Sequence, residues 1–212
     1  MPTLREILRP SVTAVLVVDV QNDFCSPDGG TAKAGRSVEP CVEMVPRLVN
    51  FLDASRRYGV RVIFVQAIGS HWTESETWMT RTSDVPRRSQ CREGTWGAEF
   101  YGVQPASDEL VVAKHRNNAF HNTRLETALR ALDVRTLVMT GVATNISVET
   151  TARDAVQRDY HVVLVEDCCA AYEPAAHDAT MYNIRNFFGR VASGDAVCAI
   201  WSDYAREAAG RR

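Results

Sequence analysis

The chain has 212 residues, 45% hydrophobic and 24% charged, with a formal net charge of −2. That suits one well-buried core and excludes the basic excess that nucleic acid or an anionic membrane surface would require. No apolar stretch approaches the roughly 20 residues that cross a bilayer, the segment MPTLREILRP lacks the apolar centre of an export signal, and the irregularly spaced Cys25, Cys41, Cys91, Cys168, Cys169 and Cys198 read as reduced thiols, so a soluble, cytoplasmic, single-domain protein over residues 1–212 is expected.

Residues 14–20, AVLVVDV, are a continuous apolar run that predicts a strand buried on both faces, as in a parallel sheet. Asp19 stands near its C-terminal end, where open α/β sheets bind ligands. A polar loop over 21–36 follows, with Pro27, Asp28, Gly29 and Gly30 as turn signals. Val42, Val45, Leu48, Val49 and Leu52 predict a helix over 39–58 that stops at Gly59, with Pro46 expected to kink it or delay its start. VRVIFVQA, 60–67, is the second strand. Residues 68–109 show no clean periodicity and carry Trp72, Trp78 and Trp96. A stretch so long is expected to contain short helices and to cover a site or a subunit contact, a surface excursion over its own aromatics being the equal alternative.

A short third strand, 110–113, delivers Lys114, and Asn122 or Thr123 caps a helix through Leu125, Leu129 and Leu132. A fourth strand, 136–139, runs into the small-residue turn Thr140-Gly141-Val142-Ala143 and then a helix to about residue 158, with Thr144, Asn145 and Ser147 in its first turn. HVVLVE, 161–166, is the fifth strand, 175–188 a helix, and 191–192 a very short sixth strand; Ser193-Gly194-Asp195 caps a last helix through Trp201 and Tyr204. This alternation predicts an α/β fold: a doubly wound, Rossmann-like, mainly parallel sheet of about six strands with helices on both faces.

In such a sheet the C-terminal strand ends share one edge, so Asp19, Lys114 and Ser147 can meet. Alone, an Asp there caps a turn, a Lys is solvated and a Ser satisfies helix amides. Together, at three strand ends of one sheet, they suggest a site. A strand that turns sharply into a helix also presents free backbone N–H groups to a developing oxyanion.

The blocks VLVVDVQNDF, VVAKHRNNAF, TGVATNISVETTARDA and VVLVEDCCAAY resemble the isochorismatase-like hydrolase superfamily, and the likeness runs from about residue 12 to residue 198. The resemblance implies a catalytic set of Asp19 as general base, Lys114 as its cationic partner and position 147 as nucleophile. It also implies an oxyanion hole from the amides of Ala143 and Ser147, a cis peptide at Val142–Ala143, and assembly as a homo-oligomer, dimer or tetramer. In the cysteine hydrolases of that family a cysteine stands where this chain has Ser147. A thiol of pKa about 8.5 is within reach of such a base, whereas a serine hydroxyl is a far weaker acid. Three readings stay open: a Cys-to-Ser form of an amidohydrolase that releases ammonia from a small amide, ureido or carbamoyl compound; an Asp19-dependent vinyl ether hydrolase without a thiol; or a small-molecule binding protein. No other cysteine is expected to substitute.

Nicotinamidases of the family hold a metal through Asp-x-His after the second strand; here that region reads QAIGSHWTE with a lone His71, so no metal and no cofactor is expected. Phe24, Trp96, Phe120 and Tyr172 are expected as walls of the substrate pocket, and Gln21, Arg116 and Asn118 as polar contacts, Arg116 being suited to a substrate carboxylate.

Overall fold

A computed structural model describes residues 2–82 and 90–210. The strands are β1 (Thr13–Val18), β2 (Arg61–Ala67), β3 (Leu110–Lys114), β4 (Thr136–Val142), β5 (His161–Ala170) and β6 (Arg190–Ala192). The helices are α1 (Leu4–Ile7), α2 (Asn22–Cys25), α3 (Gly30–Lys33), α4 (Glu39–Arg57), α5 (Glu76–Thr80), α6 (Leu125–Ala131), α7 (Glu149–Gln157), α8 (Pro174–Asn183) and α9 (Gly194–Ala209). The strands form one sheet of six in the order β3-β2-β1-β4-β5-β6, with every neighbouring pair parallel.

All six residues of β1 and all seven of β4 are buried, because both strands lie mid-sheet and are covered on both faces. Side chains alternate between the faces. Val15, Val17, Phe64, Val138 and Val163 pack with Met44, Leu48 and Phe51 of α4 and with Trp201 of α9. Leu16, Val18, Ile63, Leu137 and Leu164 pack with Leu125 and Leu129 of α6 and with Ala152 and Ala155 of α7. Pro46 does not split α4, which starts at Glu39 with Pro40 in its first turn, a place where a missing N–H costs nothing.

Two strands, β4 and β5, outrun their predicted ends. Thr140, Gly141 and Val142 are strand, because Val17 and Val18 of β1 pair with Thr140 and Gly141. The register of β4 and β5 shifts after Met139–Leu164, and pairing resumes at Gly141–Cys169 and Val142–Ala170, so β5 continues to Ala170. Gly141 has φ +106°, and a Cβ there would lie 2.1 Å from the Val18 carbonyl oxygen, so the close approach of β4 to β1 needs glycine. The predicted helix over 175–188 is α8 followed by a π-helical turn, Ile184–Phe188. The excursion over 68–109 holds α5 and a 3₁₀ turn, Trp96–Ala98.

Candidate active site

The strand order reverses between β1 and β4, and in open α/β sheets the crevice at that switch lies beyond the C-terminal strand ends. Asp19 leaves β1 there and Ser147 follows β4, in a π-helical turn, Thr144–Val148, ahead of α7. The Val142–Ala143 peptide bond is cis. Asp19 has φ 54°, a left-handed conformation that Asp tolerates better than bulkier residues. Its N–H donates to the Val65 carbonyl at 2.9 Å, which fixes its backbone against β2.

Lys114, the last residue of β3, brings the parts together. Its Nζ donates to Asp19 Oδ2 at 2.7 Å, to the Arg116 carbonyl at 3.0 Å and to Ser147 Oγ at 3.2 Å. An ammonium has three donors, and all three are used. The Lys114 and Asp19 side chains are only 2% and 4% exposed. Asp19 Oδ1 is, among the described residues, the buried side-chain polar atom left without a partner. Burial pushes the Asp19 carboxyl above the usual carboxylate range, and the charge and hydrogen bond of Lys114 oppose that rise. One oxygen thus holds the ammonium while the other is an open acceptor.

A cavity of about 120 Å³ lies over this triad, lined also by Val142, Ala143 and Ile146. Of the expected substrate contacts, Phe24, Arg116 and Tyr172 line it. Gln21, Trp96, Asn118 and Phe120 do not, for identifiable reasons. The Gln21 amide is consumed by Ala67 O at 2.9 Å, Ala98 O at 2.8 Å and Ala67 N at 2.8 Å. Trp96 is 49% exposed and turns outward. Asn118 is held by Asp154 at 2.6 Å and by the Phe120 amide at 2.9 Å. Phe120 stacks on Tyr160 at 6.0 Å beneath Arg158, among the residues that pack on α7.

The cavity instead recruits Thr31, Arg36, Glu74, Trp78, Gln90 and Cys91. Two signals pointed there: the polar loop that follows Asp19, and the tryptophan-rich excursion, of which Trp78 is the aromatic that reaches the cavity. Arg116 lies over the Trp78 ring at 4.6 Å, and its Nη1 donates to the carbonyls of Thr73 at 2.9 Å and His115 at 2.6 Å.

Several cysteines are chemically quiet. The Cys25 thiol is pushed well up by its hydrogen bond with the Cys41 thiol and by burial, and Cys91 by burial and then the charges of Asp19 and Asp23. Burial also raises Cys168 and Cys169, and lifts Cys198 to about 11. A thiol held protonated is a poor nucleophile.

The Isochorismatase domain model matches residues 13–196. The chain belongs to the isochorismatase family. Among family relatives, the ureidoacrylate amidohydrolase of Agrobacterium fabrum is 34% identical over 93% of each chain. That of Rhizobium rhizogenes is 34% identical over 93% of this chain and 87% of the other. A cysteine hydrolase from Pseudomonas syringae pv. phaseolicola superposes with TM-score 0.82 at 29% identity, covering 96% of this chain and 98% of the other. An N-carbamoylsarcosine amidase from Thermoplasma acidophilum does so with TM-score 0.70 at 27% identity, covering 86% and 96%.

Proposed function

We propose that this chain is an amidohydrolase for a small linear amide, ureido or carbamoyl compound, working through a covalent acyl intermediate at position 147 and releasing ammonia. The observation that carries the reading is the buried Lys114 ammonium, within hydrogen-bond distance of both the Asp19 carboxylate and the position-147 side chain. Relatives named as amidohydrolases and an amidase support it.

In this reading the position-147 heteroatom attacks the substrate carbonyl carbon and its proton passes to Asp19, whose open Oδ1 is the acceptor. Lys114 stabilises the anionic nucleophile, and the amides of Ala143 and residue 147 receive the oxyanion. The carbon–nitrogen bond then breaks as Asp19 returns the proton, ammonia leaves, and water, deprotonated by Asp19, releases the acid. Ser147 supplies an oxygen nucleophile whose proton is far harder to remove than a thiol's, so this chain runs the cycle slowly. The test is ammonia release from a panel of amides and ureides by this chain beside its Ser147→Cys variant. Release should rise in Ser147→Cys, and adding Asp19→Ala or Lys114→Ala should cut it by about 10²–10⁴-fold. Activity that survives Ser147→Ala undiminished, as vinyl ether hydrolysis would, overturns the reading.

We assign Arg116 to a substrate carboxylate, because it lines the cavity with its guanidinium face set on Trp78. An Arg116→Ala variant of the Ser147→Cys enzyme should raise KM for acidic amides and spare neutral ones; an unchanged KM for acids removes the assignment. We place the protein in the cytoplasm as a homo-oligomer. Six free cysteines support the first, and the outward Tyr182 and Phe187, paired edge to face at 6.2 Å, support the second.

A further inference from the structure

The three residues Gln21-Asn22-Asp23 follow the Asp19 strand end, are all buried, and take no part in the chemistry above. Each spends its side chain on the backbone of the returning limb of the excursion, residues 91–98. Gln21 Nε2 donates to the Ala98 carbonyl at 2.8 Å, and Asn22 Nδ2 to that of Trp96 at 2.7 Å. Asp23 Oδ2 accepts from the Cys91 N–H at 2.5 Å, and its Oδ1 from the Gly30 N–H at 2.8 Å. Gly97 packs so closely that a Cβ there would come within 2.2 Å of Asp23 Oδ2.

Asp23 therefore joins two separate stretches of chain from behind. The neighbours of its two donors face the cavity: Thr31, which follows Gly30, and Gln90, which precedes Cys91. On the cavity side the same gap is crossed by Gln90 Nε2, which donates to Thr31 Oγ1 at 3.1 Å. The wall between the two stretches is a seam with one stitch on each side.

We propose that Asp23 is a positioning residue for substrate binding: its carboxylate, with the Gln90–Thr31 bond in front, holds the two stretches shut and so sets the width of the cavity. The proposal rests on this cavity being the substrate site. A carboxylate suits the task because both of its oxygens accept, and both partners are N–H donors. An isosteric amide cannot replace it, since its NH₂ must face one of those N–H groups. Cys91, which is 2% exposed and lies on the seam, reports whether the wall is closed.

The experiment compares this chain with Asp23→Asn and Gln90→Ala. Alkylation of Cys91 by iodoacetamide, followed by peptide mass spectrometry, should be about tenfold faster in either variant, with Cys168 and Cys169 as protected as before. In the Ser147→Cys enzyme, Asp23→Asn should raise KM about tenfold with kcat within about twofold, and its effect should be strongly non-additive with that of Gln90→Ala, since both act on one seam. Cys91 protection unchanged in both variants overturns the proposal, as does a fall in kcat at constant KM. Equal acceleration at Cys168 and Cys169 also overturns it, because that marks general loosening. If Ser147→Cys releases no ammonia, the amidohydrolase reading fails while the Cys91 measurement still decides the seam. Gln90 is half-buried and its side chain donates to Thr31 Oγ1, so its variant keeps the test alive should Asp23→Asn fold poorly.

Discussion

At the scale of single residues the site is dominated by one buried ion pair, Asp19 and Lys114, whose charges are tolerable only because each satisfies the other. Removing one partner should therefore cost more than the pair itself contributes. Lys114→Met should lower stability in urea unfolding by about 3–5 kcal/mol at neutral pH, and the Asp19→Asn/Lys114→Met double variant should recover much of it. The pH sign follows from the direction of the Asp19 shift. Burial raises its folded pKa, so the folded state holds this proton more tightly than the unfolded chain does. Stability from the protonated form is complete below the ordinary carboxylate range and is lost as pH rises from there through the raised folded pKa. Without the opposing Lys114 charge the rise is larger, so the Lys114→Met deficit should shrink towards zero in acid and grow towards neutrality. Catalysis needs the other form. The acid limb of kcat/KM for the Ser147→Cys enzyme should lie above the usual carboxylate range, and a limb inside that range would deny Asp19 the role of base.

At the scale of elements, the strand–turn–helix from β4 to α7 is held by its neighbours rather than by its own sequence. Gly141 has a Val18 carbonyl where a Cβ would be, so Gly141→Ala should destabilise by at least about 2 kcal/mol in thermal or urea unfolding. From the other side α8 braces the turn, with His177 Nδ1 and Thr144 Oγ1 3.0 Å apart and Thr180 donating to Glu149 at 2.6 Å. Burial lowers the His177 pKa, against the raising charges of Asp178 and Glu166. A histidine held neutral in the fold contributes stability that is lost as pH falls from the ordinary histidine range through the lowered folded pKa. The drop in Tm between pH 7.5 and pH 5 should therefore be smaller in His177→Gln, as differential scanning calorimetry would read. These supports also mark what the sequence made legible. Apolar runs revealed every strand, and strand ends revealed Asp19, Lys114 and Ser147, because burial on both faces and a shared edge are properties of the pattern itself. The length of β4 and β5 was hidden, since a register shift leaves no compositional mark. Asn118 and Phe120 stand outside the cavity lining because their direction is decided by packing on α7, which lies elsewhere in the chain.

At the scale of the whole molecule the two edges of the sheet have different work. The C-terminal strand ends carry the ion pair, the cavity and the seam. The N-terminal ends carry the joints between distant parts of the chain. Thr136, at the start of β4, donates to the Ile7 carbonyl at 2.6 Å; Trp201 Nε1 donates to the Leu8 carbonyl at 3.0 Å; Tyr204 Oη donates to the Arg5 carbonyl at 3.0 Å. Trp201 is fully buried and meets Phe51 of α4 at 5.5 Å, so it ties the segment before β1, α4 and α9 together. Trp201→Ala would leave a cavity and strip the Leu8 carbonyl of its donor. It should cost about 3–5 kcal/mol in urea unfolding. Because no residue of that joint lines the cavity, KM and kcat of the Ser147→Cys enzyme should stay within about twofold below the unfolding midpoint, additivity being the rule for separated sites. A Trp201→Ala enzyme that unfolds early but binds and turns over substrate normally would show the two edges to be energetically separate. A large change in KM would instead show that the helical layer transmits strain across the sheet to the cavity.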